Sequence, residues 1–295
     1  MSIVENMCSV FKQGNSVIKL IYINISVFLL LTLTVKFLLL FNISAGSVFY
    51  YLAVPSDLSM LIARAWTPIT YMFLHEEFMH ILFNMLTLFW FGRIFLLFFS
   101  EKQLVGLYFI GGLFAAFFYI AAFNIFPYYS SALHQSILLG ASGSIMAILV
   151  ATAIQSPNME LQLLLIGSVK LKYIAIATVL LSLFGITSAN GGGELAHLGG
   201  ALAGYLFVVS LRQGKDLTKG FNRVLDNVNT IFRPRKLKVK HTKSTARSRM
   251  NDAEFNANKA RKMEEIDKIL DKIKSSGYDS LSSDEKKRLF EQGNR

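Results

Sequence analysis

Six apolar runs organise the chain. The first reads from about Leu20 to Phe41, the second from Phe78 to Phe99 and the third from Leu104 to Phe126. Each reaches the roughly 20 residues of apolar helix that a bilayer core of about 30 Å requires. A shorter fourth run covers Ser142 to Gln155, a fifth Lys172 to Ile186 and a sixth Leu195 to Leu211. The pattern predicts an all-α integral membrane protein, a multi-pass bundle of six transmembrane helices. The first two runs are separated by a loop, Asn42 to Glu77, too long for a simple connector. Val48, Phe49, Tyr50, Tyr51, Leu52, Trp66, Tyr71 and Phe73 make it apolar. It is therefore expected to bury itself partly in protein or in the outer leaflet, where aromatics are at home. A polar stretch, Ser130 to Ser136, leads into the fourth run. Because that helix is short, Ser142 is expected below the outer surface, at the bottom of a wet cavity.

Composition agrees with the pattern: 53% of residues are hydrophobic and mean hydropathy is +0.45, which excludes an ordinary soluble domain. The single cysteine, Cys8, excludes an internal disulfide. The first apolar run is long and lacks a small-residue cleavage site, so no cleaved signal peptide is expected. The net charge of +11 is concentrated at one end: residues 212–295 hold 22 Lys and Arg against 12 Asp and Glu, and residues 1–211 hold 8 against 7. Four parts follow: a cytosolic N-terminal segment (1–18), a six-helix core (19–212), a basic linker (213–250) and a small helical segment (251–295). Arg233 to Arg249 contains no acidic residue and reads as a polybasic tether, serving topology or attraction to anionic lipid. Nucleic acid is not an expected partner of a segment tied to a membrane. Met263, Ile266, Leu270 and Ile273 fall at helical spacing, with Gly277 at the helix end. Ser282-Ser283-Asp284-Glu285 is a capping-box pattern opening a second short helix with Leu289 and Phe290. Lys12, Lys19, Arg93, Lys102, Lys170, Lys172 and the tail share one side, leaving Lys36 and Arg64 near the other. The positive-inside rule then puts both termini in the cytosol and the Ser142 cavity open to the outside.

Three clusters carry candidate chemistry. Gly140-Ala141-Ser142-Gly143 sets a serine at a helix start, where unpaired N–H groups and the helix dipole favour an anion. Alone, such a stretch equally serves close helix packing. His197 stands in Glu194-Leu195-Ala196-His197-Leu198-Gly199-Gly200, with small residues at Ala196, Gly200 and Gly204 forming a smooth face for a neighbouring helix. A membrane histidine is either an interhelical hydrogen bond or a base, and a base bonded to a serine hydroxyl is the minimal activated nucleophile. The third cluster is His75…His80…Asn84. The two histidines are five apart and diverge by about 140° on a helix, so they do not build the two-histidine face of a zinc protease. His80 and Asn84 are four apart, share a face, and both donate hydrogen bonds, as an oxyanion hole requires. His75 is better placed to tie down the loop.

In these residues the chain resembles the rhomboid intramembrane serine proteases of the bacterial type. The matching positions are His75, His80 and Asn84, Gly140-Ala141-Ser142-Gly143, and Ala196-His197-Leu198-Gly199-Gly200 with Gly204. They occur in the family's order over roughly residues 55–210. The resemblance implies hydrolysis of a peptide bond in or beside the transmembrane segment of a membrane protein, by a Ser142–His197 dyad with no acidic third member. It further implies an oxyanion hole from His80, Asn84 and the Ser142 backbone N–H. No metal and no cofactor are expected; the expected partners are transmembrane protein substrates and the lipid bilayer. The setting it implies is a bacterial cytoplasmic membrane. The fifth helix and the loop Ser188 to Gly193 are the expected moving parts, the triple glycine keeping that loop soft. Two departures stand out. Many relatives carry Trp-Arg where this chain has Trp66-Thr67, and an aromatic four residues after the serine where it has Met146. One alternative is a non-catalytic rhomboid-like protein that binds membrane clients, although such proteins are expected to lack the serine or the histidine. Another is a small transporter, against which stands the lack of an inverted repeat between the halves.

Overall fold

A chain this apolar must satisfy its backbone internally, and it does so almost wholly with helices. The computed structural model describes residues 9, 11, 13–43, 47–163, 167–232 and 252–293. Helix α1 (Ser16–Leu40) starts at Asn15, whose side chain accepts from the Ile18 N–H at 3.2 Å. Helix α2 spans Phe78–Phe95 and α3 spans Glu101–Ile125, the latter opened by a Ser100/Gln103 capping box. Helices α4 (Ser142–Gln155), α5 (Leu171–Gly185) and α6 (Gly191–Arg212) follow. By length and composition α1, α2, α3 and α6 suffice to cross a membrane. Helices α4 and α5, at 14 and 15 residues, fall short by that measure. On α1, Leu30, Leu33 and Leu40 are more than 60% exposed, as suits a helix whose outer side faces lipid.

Helix α4 is the axis of the bundle. Every residue from Gly143 to Ala153 is buried, walled in by α2, α3, α5 and α6. Packing this close rests on small residues, because lipid tails leave helices little hydrophobic reason to associate. A Cβ on Gly200 of α6 would lie 2.0 Å from the Gly143 carbonyl oxygen of α4, and one on Gly204 would lie 2.3 Å from that of Ala147. The smooth face expected at Ala196, Gly200 and Gly204 therefore receives α4.

The long loop after α1 is folded into short helices (Ser47–Leu52, Leu58–Ala63, Thr67–Thr70) and a 3-10 turn (Tyr71–Phe73). Its Ala53, Val54, Tyr71, Met72 and Leu74 are buried, whereas Ile62 and Trp66 are exposed. A buried chain of hydrogen bonds holds its end: Asn24 Nδ2 donates to the Tyr108 hydroxyl (3.2 Å), which donates to the Met72 carbonyl (2.8 Å). Tyr71 donates to the Gly112 carbonyl at 2.6 Å.

Some features differ from the sequence reading. Two small antiparallel ribbons interrupt an otherwise helical unit: β1 (Val54–Pro55) with β2 (Ile137–Leu138), and β3 (Glu160–Leu163) with β4 (Gly167–Lys170). Gly191–Gly193 is the first turn of α6, where a loop was expected. A Cβ on Gly191 would lie 2.1 Å from the Ile186 carbonyl oxygen, so the residue permits a close backbone approach. Within the expected basic linker, Thr218–Phe232 forms α7, which packs on α3 through stacked Phe221 and Phe109 and a Lys102–Asp226 ion pair.

Residues 1–233 and 234–295 form two units. In the second, α8 (Asp252–Ser276) and α9 (Ser283–Gly293) are joined by a turn with Gly277 at φ 77°. The Ser282/Glu285 capping box is formed, and Lys272–Glu285 and Arg288–Glu265 ion pairs link the helices. The polybasic stretch Arg233 to Arg249 lies outside the described residues.

Candidate active site

The fold delivers the three clusters to one place. Ser142 is the first residue of α4. Before it, Gly140 has φ 116°, a left-handed turn that an L side chain rarely adopts. Its N–H donates to the Tyr71 carbonyl at 3.0 Å, so the serine turn hangs on the anchored loop. A Cβ at Gly140 would meet His80 Cε1 at 2.9 Å and Ser142 Oγ at 3.9 Å, so the imidazole and the hydroxyl both lie close to this bare backbone.

His80 and Asn84 lie on α2, one turn apart, and His197 lies on α6. Ser142, His197, His80 and Asn84 all line one cavity of about 990 Å³, with Glu76 and Glu77 also on its wall. No hydrogen bond joins Ser142 to His197 among the described residues; catalytic bonds of this kind commonly tighten only when substrate binds.

Two polar arrangements were not visible in sequence. Asn84 Nδ2 bonds His75 Nε2 at 2.9 Å, and the His75 and His80 rings meet edge to face at 5.1 Å. The amide donates, so Nε2 of His75 is the unprotonated ring nitrogen. His75 is completely buried and ties the loop to α2, as expected, but it does so through a candidate oxyanion residue. The second arrangement surrounds His197, whose Nδ1 lies 3.2 Å from Glu194 Oε2 and 3.2 Å from Ser182 Oγ of α5. The spacing Glu194-x-x-His197 was the available signal, since such residues share a helix face. Ser182 carried none, because its contact is made across helices.

Both departures from the family pattern lie at buried positions. Thr67 is buried and donates to the Arg64 carbonyl at 2.8 Å. Arg64, three residues earlier, bonds the Tyr50 carbonyl at 2.9 Å and lies 4.6 Å from the centres of both the Tyr50 and Tyr51 rings. Met146, one turn below Ser142, is buried on α4. In the loop, Asp57 caps the helix Leu58–Ala63. Hydrogen bonds from Ser59 and from His134 hold its carboxyl down to about 2. Among the described residues, no three His, Cys, Asp or Glu side chains gather as a metal site.

A family model described as Rhomboid domain matches residues 63–214, more than half of the chain. The chain belongs to the rhomboid family. It is therefore an integral membrane protein of a family made up generally of intramembrane serine proteases, which also includes inactive members. The match runs from the anchored loop to the end of α6 and so contains every cavity residue discussed above. A second model, a family of unknown function (DUF6576), matches residues 251–294, the α8–α9 hairpin. A search of curated proteins found no match.

Proposed function

We propose that this rhomboid protein is an active intramembrane serine endopeptidase cleaving transmembrane segments of membrane proteins. The observation that carries the reading is the convergence of Ser142, His197, His80 and Asn84 on one cavity from three helices. A substrate helix must unwind locally to offer a carbonyl. Ser142 Oγ attacks the carbonyl carbon while His197 Nε2 takes the hydroxyl proton. Asn84 Nδ2, His80 and the Ser142 N–H donate to the oxyanion. The tetrahedral intermediate collapses to an acyl-enzyme, the amine leaves with the proton held by His197, and water, deprotonated by the same imidazole, releases the acid. Helices α1 to α6 all span the membrane in this reading. The short α4 begins partway through the bilayer, with water reaching Ser142 through the cavity. Both termini are cytosolic, in a bacterial cytoplasmic membrane, and the cavity opens outward. The non-catalytic alternative has no residue in its favour, since neither the serine nor the histidine is missing.

The test is cleavage of a model transmembrane substrate by purified protein in detergent. Ser142→Ala and His197→Ala each lower turnover by roughly 10⁴-fold or more with melting unchanged, and the double variant is no worse. A double variant much slower than either single one contradicts the dyad.

A further inference from the structure

His197 is held on the side facing away from the cavity. Glu194 Oε2 and Ser182 Oγ each lie 3.2 Å from its Nδ1. Ser182 is 2% exposed, and the Glu194 and His197 side chains are each 22% exposed. Helix α5 is shaped to admit the carboxylate: a Cβ on Gly185 would lie 2.8 Å from Glu194 Cγ and 3.1 Å from Cδ. An ionised carboxylate only accepts hydrogen bonds. The proton of a neutral His197 therefore sits on Nδ1, and Nε2 keeps the lone pair that a general base needs. The carboxylate also stays beside the ring that becomes an imidazolium when Nε2 accepts a proton.

We infer that Glu194, assisted by Ser182, is a positioning residue that fixes the tautomer and orientation of His197, so that a carboxylate backs the base in this rhomboid. The inference rests on the serine-protease reading. It also links α5 to the chemistry, because Ser182 reaches the imidazole from that helix.

The competing role for Glu194 is structural: an acidic residue in the first turn of α6 is attracted to the positive end of the helix dipole and stabilises the helix. The pH dependence of kcat separates the two. Other titratable groups around His197 are His80 of α2, Tyr119 of α3, Tyr128 and Tyr129 of the turn after it, and Glu76 and Glu77 of the loop, all lining the same cavity. Glu194→Gln leaves every one of them in place.

The experiment measures kcat, KM and the acid limb of kcat against pH in wild type, Glu194→Gln, Glu194→Asp, Ser182→Ala and Ser142→Ala. Glu194→Gln is expected to lower kcat by about 10- to 100-fold, part of the roughly 10²–10⁴ that general-base assistance contributes. KM stays unchanged, and the acid limb moves to lower pH because the imidazolium has lost a negative neighbour. Glu194→Asp keeps the charge and recovers part of both. Ser182→Ala lowers kcat by a few-fold without moving the acid limb, the hydroxyl being neutral. Wild-type kcat and acid limb in Glu194→Gln overturn the inference. So does a Gln variant that loses only thermal stability. If the Gln variant fails to fold, wild-type kcat in both Glu194→Asp and Ser182→Ala overturns it. An inactive Ser142→Ala beside a normal Glu194→Gln removes this inference alone, whereas an active Ser142→Ala removes the serine-protease reading.

Discussion

Gly200→Ala tests whether the α4–α6 contact sets the catalytic geometry. One methyl group is added three residues after His197, pointing at the carbonyl next to Ser142. The new Cβ would lie 2.0 Å from the Gly143 oxygen, 2.9 Å from its carbonyl carbon and 3.2 Å from its Cα, whereas ordinary contact begins at 3.4 Å. All three atoms are backbone, so no side chain can swing aside. The helices must part by ~1.4 Å along that line, and Ser142 and His197 ride on opposite sides of the gap. Overpacking of this kind costs about 1–3 kcal/mol. A misplacement of about 1 Å in a catalytic pair costs on the order of 10²-fold in rate. Both effects are expected together: a lowered melting temperature and turnover down about a hundredfold in the fraction that remains folded. Gly220→Ala is the control. It sits in α7 with nothing within 4 Å of a new Cβ, and alanine there is expected to stabilise by up to about 1 kcal/mol with turnover unchanged. Turnover and thermal melting are measured for both variants in one detergent. A Gly200→Ala protein that melts and cleaves as wild type refutes the reasoning, since the backbone contact would then not constrain the site.

His80→Ala should cut turnover by on the order of 10²–10³-fold with KM little changed, as loss of an oxyanion donor does. His75→Ala should lower the melting temperature and lose turnover only as far as Asn84→Ala does; a His75→Ala protein that melts normally yet is inactive shows that the two histidines have been assigned the wrong way round. Asp57, held at about 2 in the folded chain against an ordinary 3.8, adds stability that is complete above about pH 4 and is lost as pH falls towards 2. Melting temperature followed from pH 5 to 2 should therefore drop more in wild type than in Asp57→Asn, and parallel curves contradict the assignment.

Hydropathy located the helices because lipid-facing and buried positions are both apolar, so each span reads as an unbroken run. The same property hid two details. Helices α4 and α5 could not be told apart from full spans except by length, and the β3–β4 ribbon is too short for its alternation to stand out from the apolar background. Helix α7 was missed because Lys219, Arg223 and Asp226 lower its mean hydropathy, although Phe221, Val224 and Leu225 mark one helical face. The Gly191–Gly193 run reads as a soft loop in sequence, because close backbone approach, which glycine also permits, is a tertiary property. At the site, residue spacing pairs His80 with Asn84, and the resemblance pairs Ser142 with His197. Glu194 stands three residues before His197, but a family pattern with no acidic member gives it no role. The bonds from His75 to Asn84 and from Ser182 to His197 join residues from different elements, and no local pattern encodes them.

The central claim is that Ser142 is an activated nucleophile. Detergent-solubilised protein is treated with a fluorophosphonate probe at neutral pH, digested, and the adduct located by mass spectrometry. A single adduct on Ser142, absent in His197→Ala, is the predicted result. An unlabelled Ser142 in folded protein, or labelling that survives His197→Ala at the wild-type rate, contradicts it.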